Sequence, residues 1–164
     1  MPVHVTNWEE ADIGTAVAAA NMDQGSVCVV DGSGLNRRLT VLGNSDDSLV
    51  VSGNVAVAQK VSADPYEVDS STALARLGSR ISTILKDDLI MEIRKGAKIR
   101  YTVDLLDASL DPDNGGATPA IGADLGIHDG KFSTVSAAGT GITSPVVGRV
   151  HKVFGTDVVI ELVY

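Results

Sequence analysis

The sequence predicts a mainly β protein, a small antiparallel barrel or sandwich with one short helix. The clearest strand signal lies in residues 97–106, where apolar side chains alternate with polar ones. Residues 145–164 hold two runs rich in β-branched residues on either side of a glycine-containing turn. From Gly25 onward, short apolar runs are separated by Gly, Asn and Asp, with no crossover helix between them. Short strands joined by tight turns are typical of antiparallel sheets.

The last strand shows which elements should form the core. Its apolar residues Val158, Ile160, Leu162 and Tyr164 fall on one face, which other strands must cover. Residues 97–106 are the best partner, so three C-terminal strands are expected to pack together. The full set of predicted strands lies near residues 26–30, 37–42, 55–61, 97–105, 146–154 and 158–163, with shorter ones at 49–52 and 131–135.

The first 20 residues are interpreted as an extended N-terminal arm. They end in a run of small residues that is weakly patterned, and termini of this kind are poorly ordered unless another surface holds them. Trp8 is the large apolar group able to anchor such an arm. Residues 21–164 are then a single β-rich domain, with possible sub-parts 21–68 and 96–164 joined by a helical and basic connection at 69–95.

The middle of the chain contains the least regular segments. Helical spacing of apolar residues follows cap residues in 69–85, although 80–85 also fits a strand. Residues 86–96 are predicted to be a charged connection. Residues 107–130 are predicted to be a long loop rich in Gly, Pro and Asp, and such loops are usually functional or form surface contacts.

Charge is distributed unevenly along the chain. With 21 acidic and 13 basic residues the net charge is −8, which argues against nucleic acid or an anionic membrane as the main partner. Residues 76–100 nevertheless carry seven basic and three acidic residues, a local +4. Arg94, Lys95 and Lys98 of this strip, together with Trp8, are the predicted partner-binding residues. An ordinary solvated charged face is the alternative interpretation.

No motif for catalysis or cofactor binding stands out. The only cysteine, Cys28, lies in an apolar run and is expected to be a core residue. A pattern beginning at Asp111 and Asp113 resembles a calcium loop, but Gly115 and Gly122 occupy positions that need oxygen ligands. We therefore predict no catalytic, cofactor-binding or metal residue. The N-terminus lacks a signal-peptide pattern and the chain lacks a long apolar run, so a soluble, cytosol-made protein is expected.

Three stretches resemble one known family, the capsid decoration (cement) proteins of tailed bacteriophages. They are Gly-Ser-Val-Cys-Val-Val-Asp-Gly at 25–32, Gly-Asn-Val-Ala-Val-Ala at 53–58, and Val-Gly-Arg-Val at 147–150 followed by Val-Val-Ile-Glu-Leu-Val at 158–163. The resemblance implies a β-tulip-like, non-enzymatic structural protein. It would be made in the host cytoplasm, bind the major capsid protein on the virion's outer surface, often as a homotrimer, and stabilise neighbouring capsid subunits.

A second hypothesis comes from a different class of protein. A β-barrel enzyme or carbohydrate-binding module would place its site in the loop at 107–130. Sugar-binding modules commonly present exposed Trp or Tyr platforms, and this loop has no aromatic residue before Phe132. The composition therefore favours the structural protein.

Overall fold

The computed structural model describes residues 3–7, 9, 11–42, 54–60, 83–135 and 146–164, and these residues contain thirteen strands. They form a closed five-stranded barrel, a six-stranded sheet and a two-stranded ribbon, which confirms the predicted mainly β fold. In chain order the strands are β1 Val3–Val5, β2 Ile13–Ala18, β3 Met22–Asp23, β4 Val27–Asp31, β5 Arg38–Val41, β6 Asn54–Lys60, β7 Thr83–Ile84, β8 Leu89–Ile93, β9 Lys98–Thr102, β10 Asp124–His128, β11 Lys131–Thr134, β12 Gly148–Phe154 and β13 Asp157–Leu162.

The barrel closes in the order β2-β5-β4-β6-β8. Its β2–β5 pair is parallel and the other pairs are antiparallel. Five strands enclose a narrow interior, so inward positions on β2 and β6 are alanines, and larger side chains on β5 and β8 fill the remaining space. The buried residues of this cluster, including two from the ribbon, are Ala16, Ala18, Met22, Cys28, Leu39, Ala56, Ala58, Ile84 and Ile90.

The six-stranded sheet is antiparallel throughout, in the order β1-β9-β13-β12-β10-β11. The C-terminal strand β13 lies between β9 and β12, with Ile160 opposite Ile99 on one side and Val150 on the other. β-Branched and aromatic residues line the face of these strands that packs into the core, and the outer face carries charged side chains together with the buried Val159 and Ser133. The predicted grouping of the three C-terminal strands is confirmed.

Barrel and sheet share one hydrophobic core. The cluster that contains Ile99 and Ile160 of the sheet also contains Val57 and Ile93 from the barrel wall. The buried Tyr101 joins the two parts, because its hydroxyl donates to the Gly25 carbonyl at 2.9 Å. Its ring also meets the Phe132 ring edge to face, with centroids 5.6 Å apart. The two parts are therefore held by apolar packing and by a specific buried hydrogen bond.

The hairpin tip between β10 and β11 docks on the barrel. Gly130 has a left-handed φ of 72°, and its carbonyl accepts a hydrogen bond from the Val27 amide at 2.7 Å. A Cβ at this position would collide with the side chain of Val41. Glycine is required here both for the backbone conformation and for the close approach.

The structure differs from the predicted N-terminal arm. β2 is a barrel strand, paired with β8 over five residues and with β5 on its other edge, and β1 pairs with β9. The reason is physical: Gly14, Ala16 and Ala18 are the small inward residues that a narrow barrel needs, and they resemble an unpatterned segment when read alone.

Three further boundaries are corrected. The predicted charged connection at 86–96 contains β8. Its charged Glu92 occupies a buried, inward position, so apolar and polar residues do not alternate along this strand as they would on a typical half-buried one. The predicted strand at 97–105 ends at Thr102 and continues as a 3₁₀ turn over Val103–Leu105. The predicted loop at 107–130 contains β10. The other strand predictions agree with the structure within two residues, except the one at 49–52, which lies outside the described residues.

The predicted helix at 69–85 lies mostly outside the described residues, and the predicted connection at 69–95 lies there over 69–82. In the described part of both, Thr83–Ile84 pairs with Met22–Asp23 as the ribbon, and Leu89–Ile93 of the connection is β8.

Candidate interaction surfaces

Three leucines with exposed side chains lie in segments that adjoin β2 of the barrel. Leu89 begins β8 and is the register partner of Val17 in β2. Leu85 lies on the other side of the turn that leads into β8, and Leu35 lies in the 3₁₀ turn Gly34–Asn36 before β5. Their exposed fractions are 101% for Leu35, 61% for Leu89 and 54% for Leu85. We call these three residues the leucine surface, and exposed apolar side chains grouped in this way are typical of protein contacts.

The turn between Leu85 and β8 is held in place by hydrogen bonds. The Asp87 amide donates to the Ala18 carbonyl at 2.9 Å, and the Asp88 carboxylate accepts from the Leu85 amide at 2.9 Å. Arg38 of β5 reaches this turn and pairs with Asp87 at 3.0 Å. A backbone that is already ordered loses little conformational entropy when it docks. Leu85 and Leu89 are therefore presented on a fixed turn.

Charged side chains meet in the barrel around Glu92, which is fully buried. Arg37 donates two hydrogen bonds to its carboxylate, both at 2.6 Å, and Arg94 donates a third at 2.8 Å. Arg94 also pairs with the more exposed Asp12 at 3.0 Å. Gly14 leaves room for this arrangement, because a Cβ there would collide with the Arg94 guanidinium. The four side chains balance two positive and two negative charges.

The protonation states in this network follow from its geometry. Burial raises the pKa of the Glu92 carboxyl, but the hydrogen bonds and charges of Arg37 and Arg94 outweigh it, so the pKa lies below its usual value. The hydrogen bonds to Glu92 raise the pKa of both guanidinium groups. All three groups therefore stay ionised at neutral pH, and Arg94 is engaged within its own chain.

A row of charges crosses the outer face of the six-stranded sheet. Lys98 of β9 is the register partner of Glu161 in β13, Glu161 is the partner of Arg149 in β12, and Arg149 is the partner of Asp124 in β10. Arg149 and Asp124 form an ion pair at 3.0 Å. Because the next residue along each of these four strands is buried in the core, the charged side chains lie on the outer face. The buried neighbours are Ile99, Ile160, Val150 and Leu125. We call Lys98, Glu161, Arg149 and Asp124 the charged row.

An exposed aromatic ring lies on the same face as the charged row. Phe154 of β12 is the register partner of Asp157, and 51% of its surface is exposed. The Arg100 guanidinium lies 5.6 Å from the centre of this ring and pairs with the Asp157 carboxylate. The ion pair and the cation–π contact hold the guanidinium and the ring in fixed positions.

The predicted partner-binding residues do not form one site. Arg94 belongs to the buried network and Lys98 to the charged row, whereas Lys95 is exposed in the turn between β8 and β9. Trp8 lies outside the described residues. The described part of the +4 strip is thus divided between the barrel, turns and the sheet.

The sequence interpretation missed the leucine surface. Leu35 stands between Gly and Asn in a turn sequence, and Leu85 and Leu89 flank the polar run Lys-Asp-Asp. An apolar residue inside a turn motif is the one local signal that was present.

The loop proposed as an alternative site is held by its own polar side chains. The Asp107 carboxylate accepts a hydrogen bond from the Ser109 amide at 2.9 Å and contacts His128 Nδ1 at 2.7 Å. Burial raises the pKa of Asp107, but hydrogen bonds from Ser109 and His128 outweigh it and lower the pKa. Asp111 accepts from the Asp113 amide and from Asn114, so its oxygens support the turn. Across the described ranges, no group of three or more His, Cys, Asp or Glu side chains is arranged to hold a metal ion.

A cavity of about 260 Å³ lies where the loop before β4 meets the hairpin tip between β10 and β11. Its polar lining includes Asp23, Asp129 and Lys131, and its apolar lining includes Val41 and Leu105. Asp129 and Gly130 place this cavity beside the end of the loop at 107–130.

Comparison of the chain with known protein families, with curated proteins and with solved structures found no match in any of the three. Among the described residues, no helix has the length and apolar character needed to cross a membrane.

Proposed function

We propose that this protein decorates the outer surface of a phage head, where it binds the major capsid protein and stabilises contacts between capsid subunits. The observation that carries the proposal is the leucine surface, three exposed leucines on a closed barrel. The resemblance of residues 25–32, 53–58, 147–150 and 158–163 to decoration proteins supports the same class. In this proposal the protein is a non-enzymatic structural component of the virion.

The leucine surface supplies the binding energy. Burying a Leu side chain fully is worth about 1.5–3 kcal/mol, and a contact that covers all three removes most of their apolar area from water. Leu85 and Leu89 lie on a hydrogen-bonded turn, so little of this energy is lost in ordering the chain. A modest but specific affinity for a shell surface follows.

Stabilisation of the shell then follows from linkage. A ligand that binds the assembled shell and not the free subunits lowers the free energy of the assembled state by RT ln(1 + [L]/Kd) at each site. A head presents many copies of the same site, so a small gain in free energy at each site adds up to a large stabilisation of the whole shell. The proposal therefore requires a surface that spans neighbouring subunits.

The test is binding to empty shells assembled from the major capsid protein of the same virus. The variant Leu35→Asp/Leu89→Asp should bind at least about 100-fold more weakly, because two buried leucines become charged. Ile121→Asp is the matched control, since Ile121 is 72% exposed and lies in the loop before β10, in the sheet part. The control should bind like the wild type. Equal binding by all three proteins would refute the leucine surface as the contact.

The cavity near Asp23, Asp129 and Lys131 favours a second candidate, a binding module for a small polar ligand such as a sugar. A glycan array distinguishes the two. Glycan binding that is lost in Asp129→Ala, together with no affinity for shells, would replace the first proposal with the second.

A further inference from the structure

The charges of the charged row alternate in sign from one strand to the next. Across β9, β13, β12 and β10 the signs run positive, negative, positive, negative, as Lys98, Glu161, Arg149 and Asp124. Reversed from end to end, the same row runs negative, positive, negative, positive. A row of this kind is complementary to its own reversed copy.

A two-fold axis brings the row and its reversed copy together. When two sheets face each other across an axis that lies between them and runs parallel to the strands, β9 comes opposite β10 of the other copy, and β13 comes opposite β12. Lys98 then faces Asp124 of the second copy, and Glu161 faces Arg149, each twice in the dimer. An axis along the row would instead place equal charges opposite each other, so the charges select one orientation.

We infer that the outer face of the six-stranded sheet is a two-fold interface between two copies of this chain. Facing sheets lie about 10 Å apart, a gap that opposed Lys and Asp, or Arg and Glu, side chains span together. Phe154 lies on the same face, half exposed beside the pair of Arg100 and Asp157.

This inference does not rest on the proposed function, because it concerns the free protein and uses a different face from the leucine surface. It predicts a dimer, whereas the family resemblance implies a trimer. It also gives Lys98 of the basic strip a specific partner, Asp124 at the opposite end of the row in the second copy.

The experiment is a charge exchange measured by sedimentation equilibrium of the full chain. Wild type should sediment with twice the mass of one chain. Lys98→Glu places two acidic groups opposite each other, and Asp124→Lys places two basic groups opposite each other, so each variant alone should raise the dimer Kd at least about tenfold.

Mixing the two variants provides the decisive result. In the mixed dimer, Glu at 98 faces Lys at 124, and the native Lys98 of one chain faces the native Asp124 of the other. The mixture should recover a Kd close to that of the wild type, an effect that damage within one chain would not produce. Lys95→Glu is the matched control, the same charge change at an exposed turn position outside the row, and should leave the dimer unchanged.

Three outcomes would overturn the inference. They are a wild-type monomer at millimolar concentration, a trimer, and a mixture of variants that fails to recover the dimer. Circular dichroism of each variant confirms that the fold is retained, so a loss of pairing is not a loss of folding. Shell binding by the leucine surface is measured separately, so failure of either proposal is distinguishable from failure of the other.

Discussion

The barrel and the sheet use charged residues in opposite ways. In the barrel, Glu92 is buried between Arg37 and Arg94, so its charge is satisfied inside the chain. In the sheet, the charged row lies on the outer face, one residue per strand, with Lys98 at one end and the ion pair of Arg149 and Asp124 at the other. Charge in the barrel is therefore satisfied inside the fold, where removing one partner is costly, whereas charge in the sheet stays at the surface.

The largest expected effect comes from replacing Glu92 of the barrel with glutamine, compared with the same change at Glu161 of the sheet. Glu92→Gln removes the charge that holds two guanidinium groups, and breaking a buried pair costs about 4 kcal/mol of unfolding free energy. Glu161→Gln makes the same change in the charged row and should cost less than about 1 kcal/mol. Urea denaturation at low protein concentration measures both values. Similar losses in the two variants would contradict the division between barrel and sheet.

The hairpin tip that joins the two regions provides the next test. Gly130→Ala imposes a left-handed φ on alanine and also drives its Cβ into Val41, so a loss of about 3 kcal/mol is expected. Gly115→Ala has the same backbone problem at a φ of 82° but meets no atom within 4 Å, so about 1 kcal/mol is expected. If Gly130→Ala costs no more than Gly115→Ala, the contact between hairpin and barrel is unimportant for stability.

A smaller effect is expected at the buried hydrogen bond between the regions. Tyr101→Phe keeps the edge-to-face contact with Phe132 but leaves the Gly25 carbonyl without its donor, which costs about 1 kcal/mol. Thermal denaturation should show a single transition at a lower temperature. Two separate transitions would instead mean that barrel and sheet unfold independently once the bond is absent.

The smallest effect concerns pH. The pKa of Asp107 is lowered in the folded state, so its carboxylate contributes stability that is present above its unfolded pKa of about 3.9. That contribution is lost as the pH falls through the lower folded value. The stability difference between wild type and Asp107→Asn should therefore be constant near neutral pH and shrink in acid. A difference that grows as the pH falls would have the wrong sign for this account.

Strands were predicted best where apolar and polar residues alternate or where β-branched residues flank a glycine turn. β9 alternates in this way, β12 and β13 flank Gly155, and these strands were predicted with their grouping. β2 and β8 were missed because a narrow barrel places alanine, glycine and a buried glutamate at inward positions, which removes the contrast between faces. Local pattern alone does not reveal a strand of this kind.

The candidate surfaces were less predictable than the fold. The charged row joins residues 98, 124, 149 and 161, which become neighbours only through the register of four strands. Lys98 was predicted to bind a partner, but its complement Asp124 has no sequence signal that links the two. Arg94 was grouped with Lys98 by charge, whereas the fold directs its side chain to Glu92.

Binding to assembled shells compared with unassembled capsid subunits tests the proposed function most directly. Co-sedimentation of the wild-type protein with empty shells, at constant protein concentration, should show saturable binding that raises the temperature at which the shells dissociate. Free subunits should bind at least about tenfold more weakly, since the contact spans neighbouring subunits. Equal affinity for shells and free subunits, or no binding to either, would contradict the account.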